Sequence, residues 1–217
     1  SRKMLVLFIS LISFLMTNAS HNKIVFPEDS ITKCLGNKTI HFYGDSVMRG
    51  RAYALKSILS GESFVPRDDQ KYVCGGPASG AGSGTRPLCH IHHDLGVSIS
   101  FQSLPEEVFS PLVKFSLTHA PADIVLLTTG NAMIRQEKYK WNVENVSKQV
   151  NLLADILSEL KKKDVDVWYF TTPRMCSMAG WSQNSIEATN ERALTINSIL
   201  GSAMIGANIS VYDAFDG

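Results

Sequence analysis

A chain of 217 residues, 44% hydrophobic and 19% charged, suffices for one core of ordinary size without requiring a second domain. Lys and Arg number 21 against 20 Asp and Glu, so no basic excess points to nucleic acid and no acidic block to a solvating tail. Whatever the chain binds is not announced by bulk charge.

Arg2 and Lys3 precede an apolar run from Met4 to Met16, and Thr17-Asn18-Ala19-Ser20 follows with small residues suited to cleavage. Residues 1–20 therefore read as a signal peptide. The run falls short of the roughly 20 apolar residues that cross a bilayer, so an uncleaved anchor is the alternative. Thr39 to Tyr43 then forms a strand that runs into Gly44-Asp45-Ser46 and a helix, in which Met48, Ala52, Leu55 and Leu59 recur at helical spacing until Gly61. From about residue 62 to 95 a surface insertion is expected, because the glycines between Cys74 and Gly84 lack the strand–turn–helix context of a phosphate loop.

Val97 to Phe101 alternates like a strand with one wetter face, and Asp123 to Thr129 is a continuous apolar run of the kind buried parallel strands show. That run ends at Gly130-Asn131. A helix follows with a stripe of Val146, Val150, Leu153, Leu157 and Leu160, closed by three lysines that complement its carboxyl end. Val165 to Thr171 is a further strand, Ser185 to Ala203 a helix, and Ile209 to Tyr212 a short strand that delivers Asp213. Strands separated by helices predict an α/β fold, a mostly parallel sheet with helices on both faces.

In such a sheet, reactive groups gather at the carboxyl ends of the strands. Ser46 and Asn131 each follow a predicted strand, so both belong at one rim. A serine hydroxyl there can attack an acyl carbon, while an amide and the first N–H groups of the following helix hold the oxyanion. Asp or Ser as an ordinary helix N-cap, and Asn131 as an ordinary turn residue, are the plainer accounts of the same positions.

Gly44-Asp45-Ser46 with Arg49 three positions on, then Gly130-Asn131, resembles the SGNH or GDSL hydrolase superfamily. More narrowly, Cys34-Leu35 before the strand, Gly-Asp-Ser-x-x-Arg after it, and Phe101 to Val113 leading into Ala122 to Val125 resemble the PC-esterase branch. That branch includes the trichome-birefringence-like proteins, the NXPE proteins and sialic-acid O-acetyltransferases. The likeness spans roughly residues 33–217. It implies a three-layer α/β/α sandwich and removal or transfer of acyl groups, often acetyl on carbohydrate. Ser46 maps to the nucleophile, Gly130 and Asn131 to the oxyanion site, and Asp45 and Arg49 to supporting roles. Many superfamily members place the asparagine two positions after the glycine, whereas Asn131 follows Gly130 directly.

The family also carries Asp-x-x-His near its carboxyl end, and this chain has no histidine after His119. The expectation is a domain incomplete at its C-terminus and a fragment weak in catalysis, since the imidazole supplies activation on the order of 10²–10⁴-fold. A silent extracellular binding module on the same fold is the alternative. Cys89-His90-Ile91-His92-His93-Asp94 places His90 and His92 on one side if extended, but a disulfide-tethered polar loop accounts for it. His41 reads as a core histidine, and His119 lies at the amino end of its strand, away from Ser46. Neither metal nor cofactor is expected.

Sequons at Asn37, Asn145 and Asn208 agree with a secretory route, to the outside or to the ER or Golgi lumen. Cys34, Cys74, Cys89 and Cys176 are the disulfide candidates, with Cys74 and Cys89 the pairing to test first. The expected partner is a carbohydrate or glycoconjugate, with an acyl donor if the reaction is transfer. No nucleic acid is expected, and a membrane only if residues 1–20 stay attached.

Overall fold

The computed structural model describes residues 33–62, 89–103, 117–119, 121–129, 143–174 and 182–215. Six strands make one sheet: β1 (Thr39–Gly44), β2 (Cys89–Asp94), β3 (Val97–Ser103), β4 (Ile124–Leu127), β5 (Asp166–Phe170) and β6 (Ser210–Tyr212). Their spatial order is β2-β3-β1-β4-β5-β6. All neighbours are parallel except β2 and β3, which form an antiparallel pair at one edge. Strand β1 sits in the middle and is buried from Ile40 to Gly44, as a central parallel strand covered on both faces must be.

The long helices among the described residues are α1 (Ser46–Ser60), α2 (Val143–Lys161) and α3 (Gln183–Gly206). Helix α1 starts at Asp45, whose carboxylate accepts from the Val47 N–H at 2.8 Å, and stops at Gly61 in the left-handed region at φ +62°. Its Met48, Ala52, Leu55 and Leu59 pack with Ile40, Phe42, Ile99, Phe101, Leu126 and Phe170 on one face of the sheet. On the opposite face, Val150, Leu153 and Leu157 of α2 and Ile196, Leu200 and Met204 of α3 pack with Tyr43, Val125, Leu127, Val167 and Tyr169. Side chains alternate across each strand, so each strand feeds both cores. The result is a three-layer α/β/α arrangement around a mostly parallel sheet.

Two local expectations are corrected. Residues 89–94 close the expected insertion as edge strand β2, because the backbone of this stretch pairs with β3. A bulge lies between His90, opposite Ser100, and His92, opposite Ile99. The extra residue turns His92 toward the face of Ile99 and leaves His90 and His93 together on the other face, so His90 and His92 do not share a side. The polar face of β3 is wet only at its start: Ser98 is half-buried, whereas Ser100 is 0% exposed and Gln102 4%. Ser100 is buried against His41, another polar side chain, which removes the need for water. His41 Nε2 lies 2.7 Å from the Pro121 carbonyl, which only accepts, so Nδ1 accepts from the Ser100 hydroxyl at 2.9 Å.

Candidate active site at the carboxyl rim of the sheet

The connection from β1 leads to β3 on one side, and the chain then crosses to β4 on the other side of β1. The strand order therefore reverses between β1 and β4, where open α/β sheets form a crevice at the carboxyl ends of their strands. Gly44, Asp45 and Ser46 occupy the β1 side of that crevice, and Thr128 and Thr129 the β4 side. The Thr128 N–H donates to the Tyr43 carbonyl at 3.0 Å, extending the β1–β4 ladder past Leu127.

The turn that presents Ser46 requires a glycine. Gly44 has φ +153°, and a Cβ there would meet Met48 Cγ at 2.7 Å and Thr128 Cγ2 at 2.9 Å. Both α1 and the end of β4 thus press on the bare Cα, and the chain leaves the sheet directly into the helix. Ser46 is the first helical residue. The first N–H groups of a helix have no carbonyl partner within it and carry the positive end of its dipole, a suitable setting for an anion. Asp45 takes up the Val47 N–H, and the Arg49 N–H closes the first turn on the Asp45 carbonyl at 3.0 Å. Arg49 is buried in that turn, where its charge opposes the upward push that burial exerts on the Tyr53 phenol.

Beside this crevice, β5 and β6 end in a braced corner. The Thr171 N–H donates to the Tyr212 carbonyl at 3.0 Å. The Thr171 hydroxyl donates to Asp213 Oδ1 at 2.8 Å and accepts from the Ala214 N–H at 2.7 Å. Asp213 Oδ1 also accepts from the Phe215 N–H at 3.0 Å. From α3, the buried Asn197 amide grips both backbone groups of Thr172, its Nδ2 donating to the carbonyl at 2.9 Å and its Oδ1 accepting from the N–H at 2.8 Å. Asp213 therefore reaches the same rim as Ser46, but β6 stands three strand spacings from β1, roughly 14 Å.

Between the two lies a hydroxyl pair that sequence reasoning did not single out. The Tyr169 hydroxyl of β5 and the Thr129 hydroxyl are 3.2 Å apart and buried. Burial pushes the Tyr169 phenol up to about 12, opposed by hydrogen bonds with Thr129 and Thr128 and reinforced by the Asp45 charge. Arg51 is likewise unforeseen: it is 5% exposed, its guanidinium stands 4.3 Å above the Phe170 ring, and Nη1 donates to Met48 Sδ at 3.4 Å. Burial pushes it down to about 10, against the pull of Tyr212 and Asp45. A Tyr amid a buried strand and an Arg on a helix otherwise facing the core are the only traces of these contacts in the sequence.

Of the residues expected at the site, the structure places Ser46, Asp45 and Arg49 together at the head of α1. Gly130 and Asn131 lie outside the described residues, as do residues 1–20, Cys74 and Cys176. Cys89 opens β2 and packs at the margin of the α1 core. Cys34 corrects the expectation of a disulfide: it is a free thiol packed at the margin of the α1 core. Asn37 and Asn208 are exposed in left-handed turns, at φ +60° and +58°, and Asn145 is in α2. Among the described residues, no group of three or more His, Cys, Asp or Glu could hold a metal ion, and no helix is long and apolar enough to cross a membrane.

The fold and this rim define an α/β protein with a serine at a strand-to-helix turn beside the reversal of strand order. No family model matches the chain, and neither does any curated protein. Among solved structures it is similar to a salicylyl-acyltransferase from a tetracycline biosynthetic pathway, at 12% identity and TM-score 0.44. That match covers 82% of this chain, which spans 42% of the length of the acyltransferase. An acetyl-xylooligosaccharide esterase from Geobacillus matches at 10% identity and TM-score 0.42, over 84% of this chain and 78% of its own. Toc33 from Arabidopsis thaliana matches at 13% identity and TM-score 0.39, over 86% and 73%. Likeness at this level carries no conclusion about activity.

Proposed function

We propose that this chain carries the nucleophile of a carbohydrate O-acyl esterase or O-acetyltransferase of the secretory route, with Ser46 as the attacking residue. One observation carries the reading: a glycine that tolerates no side chain delivers Ser46 to the head of α1, at the point where the sheet's strand order reverses. The resemblance of Gly44 to Arg49 to the SGNH hydrolases, and within them to the PC-esterases, supports the same assignment. Ser46 Oγ attacks the acyl carbon and loses its proton to a base. The carbonyl oxygen takes up the negative charge beside the head of α1. As the acyl-enzyme forms, the bond to the sugar oxygen breaks, and that oxygen takes the proton back from the base and leaves as the alcohol. Water or a second sugar hydroxyl then accepts the acyl group. The exposed sequons Asn37 and Asn208 and the leader-like residues 1–20 support the secretory setting.

A second reading, a silent extracellular binding module on the same fold, is favoured by the positions of the histidines. Among the described residues, His41, His90, His92, His93 and His119 lie within the sheet or at its amino edge, and none stands at the carboxyl rim. Labelling with a serine-reactive fluorophosphonate distinguishes the two. The enzyme reading expects labelling of the protein that Ser46→Ala abolishes. Labelling that is absent, or unchanged in Ser46→Ala, leaves the binding module.

A further inference from the structure

We infer that Tyr169 is a positioning residue for the Ser46 site, acting through the Thr129 hydroxyl to set the width of the crevice between β1 and β4. The inference rests on the reading of Ser46 as nucleophile. Strand β4 ends at Leu127, Thr128 keeps one further bond to β1, and Thr129 lies beyond it, yet both threonines are buried. Two contacts from opposite sides hold them. Toward β1, the Thr128 N–H is bonded to the Tyr43 carbonyl, and the Thr128 methyl abuts Gly44. Toward β5, the Tyr169 hydroxyl meets the Thr129 hydroxyl at 3.2 Å.

Packing alone does not explain that phenol. Tyr169 is 0% exposed, and a phenylalanine would fill the same volume without a polar atom that must find a partner. What the hydroxyl adds is a tie between β5 and the exit of β4. Because Gly44 has no side chain to keep the rims apart, the separation of Ser46 from the β4 exit depends on where Thr128 and Thr129 are held. A displacement of about 1 Å at such a rim costs on the order of 10²-fold in reaction rate.

The test uses Tyr169→Phe, Thr129→Val and the double variant, with Thr129→Ser as the conservative control that keeps the hydroxyl. Two measurements are made on each: the rate of Ser46-dependent fluorophosphonate labelling, and the backbone amide resonances of residues 44–47 and 128–129. Tyr169→Phe and Thr129→Val are each expected to slow labelling about tenfold, with the double variant no slower than the worse single, because both remove one shared contact. The same amide resonances move in both, while Thr129→Ser stays within about twofold of the parent. Additive losses, or amide resonances at Gly44 to Val47 unmoved by Tyr169→Phe, overturn the inference. If the parent protein is not labelled but those resonances move as described, the nucleophile reading fails and the positioning role stands.

Discussion

The tightest constraint on the site is the bare Cα of Gly44, and Gly44→Ala measures it. Two costs add. The backbone at φ +153° is a region that residues with a Cβ rarely adopt, which costs about 1–3 kcal/mol. The new methyl would lie 2.7 Å from Met48 Cγ and 2.9 Å from Thr128 Cγ2. Overpacking of that kind costs about 1–3 kcal/mol more, since α1 and the end of β4 must both give way. The sum, about 2–6 kcal/mol, lowers the melting temperature by about 4–24 °C for a chain of this size. Gly61→Ala provides the internal comparison. Its φ is +62° but nothing lies within 4 Å of the added Cβ, so only the left-handed strain of about 1–2 kcal/mol applies. Thermal unfolding by circular dichroism reads all three proteins. A Gly44→Ala variant that melts with or above Gly61→Ala would refute the argument that the helix head and the β4 exit press on this turn. Thr128→Ser in the Gly44→Ala background removes one of the two obstructing groups, and part of the loss is expected to return.

Asn197→Leu leaves the buried N–H and carbonyl of Thr172 without their partners, and the expected loss is about 2–4 kcal/mol. Urea unfolding would show it as a lower midpoint, with Asn197→Asp intermediate because it keeps the acceptor. His41 supplies a pH dependence. Burial holds its charged form below the ordinary value of 6.5, against the Pro121 carbonyl and with a small contribution from His90. As pH falls through 6.5 the unfolded chain takes up the proton first, so this contribution to stability is full above that value and declines below it. Melting temperatures from pH 7.5 to pH 5 should fall more steeply in the parent than in His41→Gln. Equal slopes would exclude His41 as their source.

Periodicity alone was enough to find the helices and most of the sheet. Met48, Ala52, Leu55 and Leu59 define a buried face wherever the helix is placed, and the apolar runs of β4 and β5 admit few environments other than a covered parallel sheet. Ser46 was legible for a related reason, because a strand, a glycine and a capping aspartate are adjacent in the chain and set their geometry locally. Lateral neighbours were not legible. Whether Ser98, Ser100 and Gln102 face water depends on what packs against them, and the structure buries Ser100 against His41, 59 positions away. The cysteine–histidine segment reads as a loop until β3 offers it a ladder, and the bulge that separates His90 from His92 exists only in that pairing. Thr129 and Tyr169 are 40 positions apart and carry no mutual signal in sequence, yet strand order brings their hydroxyls together at the exit of β4. Local spacing determined what each element is. Which elements lie side by side, and therefore what surrounds the serine, was decided by the pairing of strands far apart in the chain, where the order and register of the sheet set every distance.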